Sequence, residues 1–82
     1  MTLDQLKPGQ SAVISKIAES GPLAQRLMAL GLLEGTDVQM LRRALFGGDP
    51  LEIDVMGYAL SLRQSEARQI TVIDAQDSNQ SS

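Results

Sequence analysis

Glu52 and Asp54 are the residues whose type and spacing come nearest to chemistry in this chain. They alternate with Leu51, Ile53 and Val55, so they share one face of a strand, roughly 7 Å apart at the strand rise. Two carboxylates so placed could begin a divalent-cation site or serve as an acid–base pair. The pattern also offers a plainer use. If Val38 and Met40 pair inward with Leu51, Ile53 and Val55, strict alternation puts Leu41 and Arg43 on the outer face with both acids. Arg43 is then expected to form a cross-strand ion pair with Glu52 or Asp54. Hard cations, besides, take more oxygen ligands than two. Gly47-Gly48-Asp49-Pro50 has the glycines of a phosphate-cradling loop but lacks the Lys and Ser/Thr of a P-loop, and Asp49 repels phosphate. It reads as the tip of a hairpin.

Composition narrows the chemistry further. The 82 residues include no Cys and no His. That excludes a disulfide framework, a zinc–thiolate site and a thiol nucleophile, along with the commonest general base and metal ligand. A chain of this length buries only about 60–65% of its unfolded surface, which leaves little room for a deep cleft. The expectation is a protein that is not an enzyme, with no catalytic residue, metal ligand or cofactor to assign. Seven bases against ten acids and an aromatic content of 2% oppose nucleic-acid binding, which needs a basic stripe and usually stacking platforms. The longest apolar stretch, Leu27 to Leu33, is interrupted by Gly31 and falls far short of the roughly 20 residues that span a bilayer. The opening MTLDQLKPGQ has neither a positive n-region nor an apolar h-region, so a cytoplasmic location is expected.

These residues must be positioned by a small set of elements. Leu3 to Gln10 reads as a lead-in closing in a Pro8-Gly9 turn. Ser11 to Ala18 reads as a first strand, with Ala12 and Ile14 on one face and Ile17 on the other. That slip predicts a bulge near Ser15 or Lys16. Pro22 to Leu30 is a helix, with Pro22 at its first position, Leu23, Leu27 and Leu30 as its apolar stripe, and Gly31 as a left-handed cap. Strands follow around Val38–Met40, Leu51–Val55 and Leu60–Leu62, the last two joined by a turn at Met56-Gly57-Tyr58. A helical turn over Ser65–Arg68 and a short strand at Ile70–Val72 complete a small barrel or curled sheet with one helix packed across it. Residues 1–73 form a single domain. From Asp74 to Ser82 the only apolar residue is Ala75, and a disordered polar tail is expected there. Two of the ten acids lie in that tail, leaving the body near electroneutral.

Some side chains are left without an obvious use in this scheme. Leu41 faces outward by parity, and Leu45-Phe46 sits at a loop tip; together they either fold over the barrel's open end or form an apolar patch for a protein partner. Arg26 and Met28, off the helix stripe, form a second candidate contact. Two aromatics are too few for a polyproline-binding groove.

The order of motifs resembles the FeoA family, small cytoplasmic proteins of bacterial ferrous iron uptake. The resemblance rests on Leu6-x-Pro8-Gly9, Ile14 and Ile17, Arg26-Leu27-Met28-Ala29-Leu30-Gly31-Leu32 and Glu34-Gly35-Thr36. It continues through Arg43-Ala44-Leu45-Phe46-Gly47-Gly48-Asp49-Pro50-Leu51, Val55-x-Gly57, Leu60-x-Leu62-Arg63, Glu66-Ala67 and Ile70-x-Val72, covering residues 3–73. It implies a mainly β fold: a small SH3-like β-barrel with one α-helix inserted after the first strand and a short C-terminal helical turn. It also implies an accessory role beside FeoB, the membrane ferrous iron transporter, through that partner's cytoplasmic G-protein domain. The chain would then work at the inner face of the membrane without inserting into it. The residues expected to carry the contact are Leu41, Arg43, Leu45 and Phe46, with Arg26 and Met28 as a second patch, and the same reading admits weak self-association. A related domain ends the metal-dependent repressors, which makes a metal-responsive regulatory domain the alternative reading.

Overall fold

The computed structural model describes residues 1–17, 21–45 and 47–75. Its strands are β1 (Ser11–Ile17), β2 (Asp37–Arg43), β3 (Leu51–Val55), β4 (Tyr58–Leu62) and β5 (Ile70–Asp74), with α1 (Pro22–Ala29) after β1 and α2 (Gln64–Ala67) before β5. All pair antiparallel in one sheet of order β4-β3-β2-β1-β5. A 3₁₀ turn, Leu3–Gln5, precedes them.

Two bulges bend this sheet. In β1 the register against β5 moves from Ile14↔Val72 to Lys16↔Thr71, leaving Ser15 as the extra residue, where the broken alternation places it. The Ser15 hydroxyl donates to the Thr71 carbonyl at 3.2 Å. The second bulge lies in β2, where Met40 faces Ile53 but Arg42, not Leu41, faces Glu52. An extra residue on one strand kinks it and increases its twist, which a sheet of five short strands needs in order to curl around a core.

The helix ends are as their sequence dictates. Pro22 occupies the first turn, where its missing N–H has no partner to lose. At the other end Gly31, at φ 92°, donates to the Met28 carbonyl at 3.0 Å, and Leu32 reaches back to the Leu27 carbonyl at 2.9 Å. This pair of bonds is a Schellman cap, with Leu27 and Leu32 both wholly buried beneath it. Leu30 is the capping residue, one beyond the helix proper, and is only half-buried. Ala24 is buried beside Leu27, and Leu23 packs partly against the core.

The core is assembled from every strand: Ile14, Met40, Ile53, Leu62 and Ile70 are each at most 1% exposed. Leu3 and Leu6 of the lead-in are also fully buried, so that segment is part of the core. It lies along the outer edge of β5, with Thr2 bridging Thr71 and the Met1 carbonyl accepting the Val72 N–H at 2.8 Å. β5 runs to Asp74, opposite Ala12, one residue beyond the expected end of the folded body. Ala18, expected to end β1, and positions 76–82 of the expected tail lie outside the described residues. Among the described residues no helix is long and apolar enough to cross a membrane.

Leu27 is wholly buried at the junction of helix and sheet. Leu27→Gln is expected to lower stability by about 3–5 kcal/mol, through lost burial and an unpaired amide. A denaturant titration showing near-wild-type stability would remove Leu27 from the core.

Candidate functional site

The bulge at Leu41 decides what the two arginines of β2 do. By shifting the register one place it puts Arg42, rather than Arg43, beside the acids of β3: Arg42 Nε lies 3.0 Å from Glu52 Oε1 on the open surface. The expected pairing of Arg43 with Glu52 or Asp54 is therefore corrected. The signal for it was the apolar doublet Met40-Leu41, the same break in alternation that marks the bulge in β1. Asp54 instead accepts the Gly57 N–H at 3.3 Å across the β3–β4 turn, where Met56 and Gly57 both have positive φ, 52° and 103°. Among the described residues no three carboxylates form a metal-binding group.

Arg43 turns under the sheet. Its guanidinium donates to the carbonyls of Asp4 and Leu6, the latter at 2.9 Å. It therefore has a structural task, holding the lead-in against the end of β2. Gly48 lies over the Arg43 side chain, with space for a Cβ at 3.8 Å from its Cδ.

Above this anchor the chain leaves β2 and returns into β3 through residues 44–50. The Ala44 N–H donates to the Pro50 carbonyl at 3.1 Å, and Asp49 Oδ1 accepts the Gln64 N–H at 2.9 Å. The connection is a hairpin, as its glycines indicate, and it is pinned at both sides. From it Leu45 projects into solvent, 95% exposed. Leu41 is half-buried in the bulge, and Phe46 lies outside the described residues.

The structure separates the second pair. Arg26 forms an ion pair with Glu66 of α2 and lines a groove of ≈ 410 Å³ with Pro50, Ser61 and Arg63. Met28, 52% exposed, lines another groove, of ≈ 530 Å³, together with Ile17, Ala24 and Leu33. Ile17 and Leu33 were not singled out from the sequence, although the outward slip of Ile17 was its signal.

Glu66 is held below the usual glutamate range. The main cause is the Arg63 backbone N–H, which donates to Oε1 at 2.9 Å; partial burial opposes it, and Arg26 adds to the lowering. A depressed carboxylate pKa contributes stability above its unfolded value, and that contribution is lost as pH falls through the folded one.

Strand order, a helix between the first two strands and a helical turn before the last define a mainly β, SH3-like barrel. The chain belongs to the FeoA family, whose domain it matches over residues 1–74. It is 39% identical to the FeoA protein of Chlorobium tepidum, whose solution structure superposes with a TM-score of 0.85 over 92% of this chain and 70% of that one. It is 34% identical to the FeoA of Stenotrophomonas maltophilia, at a TM-score of 0.79, with 89% of each chain covered. That protein, crystallised with zinc, is described as an SH3 domain protein and put forward as a ferrous iron transport activating factor. A Porphyromonas gingivalis protein that fuses Fe(2+) transport protein A to the transporter FeoB is 31% identical over 72 residues. The match takes in 88% of this chain and spans 8% of the fusion. A manganese-dependent transcriptional repressor, 18% identical at a TM-score of 0.80, shares the fold alone.

Two outcomes test this arrangement. Arg43→Met is expected to cost about 2 kcal/mol, because charge-assisted bonds to two carbonyls are lost, whereas Arg42→Ala should cost under about 1 kcal/mol. Equal losses in thermal unfolding would contradict the anchor. Glu66→Gln should be less stable than the parent at pH 7, with the gap closing as pH drops below the ordinary glutamate range; a gap constant to pH 3 would contradict the assignment.

Proposed function

We propose that this protein is a non-catalytic accessory of ferrous iron uptake that binds the cytoplasmic G-protein part of a FeoB-type transporter and modulates its assembly or activity. The observation that carries this reading is the P. gingivalis relative, in which a domain like this one and a FeoB transporter are one polypeptide. Covalent linkage holds two modules at high effective concentration, the condition under which a weak contact between them operates. The reading puts the protein at the inner face of the membrane, held there by its partner.

The contact we favour is the hairpin connection after β2. Leu45 is a large apolar side chain, 95% exposed, on a loop pinned at both sides. An exposed side chain on a braced backbone loses little conformational freedom when a partner's pocket covers it, and covering it removes apolar surface from water. Leu41, half-buried at the bulge, and Phe46, next to Leu45 in sequence, are included in the proposed contact, and Arg43, bonded to the lead-in carbonyls, anchors the end of β2 from which the loop departs. Arg26 and Met28 belong to separate grooves and form a secondary surface. The alternative of a metal-responsive regulatory domain is supported by likeness of fold only.

Co-purification with the detergent-solubilised transporter, with and without guanine nucleotide, is the test. Leu45→Glu and Phe46→Glu are expected to keep the parent's thermal midpoint and to weaken saturable binding at least about tenfold, the loss typical of an anchor residue. Binding retained by both variants would move the contact elsewhere, and no binding in any nucleotide state would overturn the accessory reading.

A further inference from the structure

The two edges of the sheet are treated differently. Outside β5 the chain's own first residues cover the edge, through the Met1–Val72 hydrogen bond and the Thr2–Thr71 bridge. Outside β4 no described residue does the same. The β3–β4 hairpin has a two-residue turn, so its narrow pairs fall at Val55↔Tyr58, Ile53↔Leu60 and Leu51↔Leu62. Ala59 and Ser61 therefore turn their N–H and C=O groups away from β3. Among the described residues no backbone or side-chain partner reaches those groups.

This edge also lacks the usual defences. Exposed edges are ordinarily blunted by a charge, a proline or a bulge. β4 is Tyr-Ala-Leu-Ser-Leu, without charge or proline, and it pairs with β3 through five positions without a register shift.

We propose that the β4 edge is a self-association surface, on which two copies of this chain join β4 to β4 antiparallel about a two-fold axis through Leu60. That register sets Ala59 of each copy against Ser61 of the other, so both open-edge residues exchange their two backbone hydrogen bonds, four in all. Leu60 then meets Leu60 in the closer, non-hydrogen-bonded position, and Tyr58, 44% exposed alone, stands opposite Leu62. In this register each residue faces the one equally far beyond Leu60 in the other copy, and self-pairing fails wherever a like charge falls opposite. Over Tyr58–Leu62 there is none. The self-complementary register, in which each open-edge residue finds its partner in the other copy, selects a second copy, and four hydrogen bonds, a small apolar contact and the Arg26 and Arg63 side chains that line the groove at Ser61 make the dimer weak.

The chain is suited to a direct test by sedimentation equilibrium and amide NMR from about 10 μM to 1 mM, the range in which small, transient interfaces form. The expected result is a concentration-dependent shift toward dimer mass, with the Ala59 and Ser61 amides moving most. Ser61→Pro removes an N–H that β3 does not use. It should keep the parent's circular dichroism and remain monomeric, and Ser61→Lys, which sets like charges near the axis, provides a second variant should the proline unfold the strand. A parent monomeric at 1 mM overturns the proposal, as does a dimer undiminished in the folded variants. A monomer whose Ala59 and Ser61 amides move only when the transporter's cytoplasmic part is added would give the edge to that partner and overturn self-pairing.

Discussion

The barrel depends on the pinning of its first six residues. Leu3 and Leu6 supply fully buried apolar surface, yet a single 3₁₀ turn cannot hold itself in place. Arg43 does so, donating to the carbonyls of Asp4 and Leu6 from the end of β2, and Arg68 stands 3.6 Å from Asp4 on the side of α2. The guanidinium suits the task because a single terminal nitrogen, Nη2, carries two N–H groups and reaches both carbonyls. The carbonyls of a turn too short to satisfy itself are thereby paired within the protein. The same arginine ends β2, the strand from which the loop carrying Leu45 departs.

A five-stranded sheet must also curl within very short strands. The bulges at Ser15 and Leu41 provide the bend, one on each of the paired central strands β1 and β2. The β2 bulge has a second effect: it turns Arg43 inward to the lead-in and sends Arg42 out to Glu52. Curvature and side-chain assignment are set by the same extra residue.

What could be read in advance follows from the range of the interactions. The helix was legible because its signals are local: Pro22 at the start, a leucine stripe, and Gly31 at the cap. The β1 bulge was legible because Ile17 broke the alternation, and the SH3-like architecture followed from motif order. The roles of Arg42 and Arg43 were not, since parity counted from Val38 runs correctly only as far as Met40, and the doublet Met40-Leu41 passed as one outward leucine. Nor was the burial of Leu3 and Leu6, which depends on contacts with β5 and the end of β2, distant in sequence. At the candidate site, the exposure of Leu45 follows from its place at a hairpin tip. The ion pair that commits Arg26 to Glu66 spans 40 positions and leaves no local trace.

The bond between the Met1 carbonyl and the Val72 N–H has a consequence for how this barrel is joined to other polypeptides. The first residue and the last strand meet along one margin of the sheet, and β4 lies at the opposite end of the strand order. A polypeptide spliced on before Met1 or directly after Asp74 would attach at nearly the same corner, leaving the far margin clear. A short loop from Asp74 to Met1 could close the chain into a ring, and new ends could be cut in the β3–β4 turn, to give a circular permutant with the same strand order.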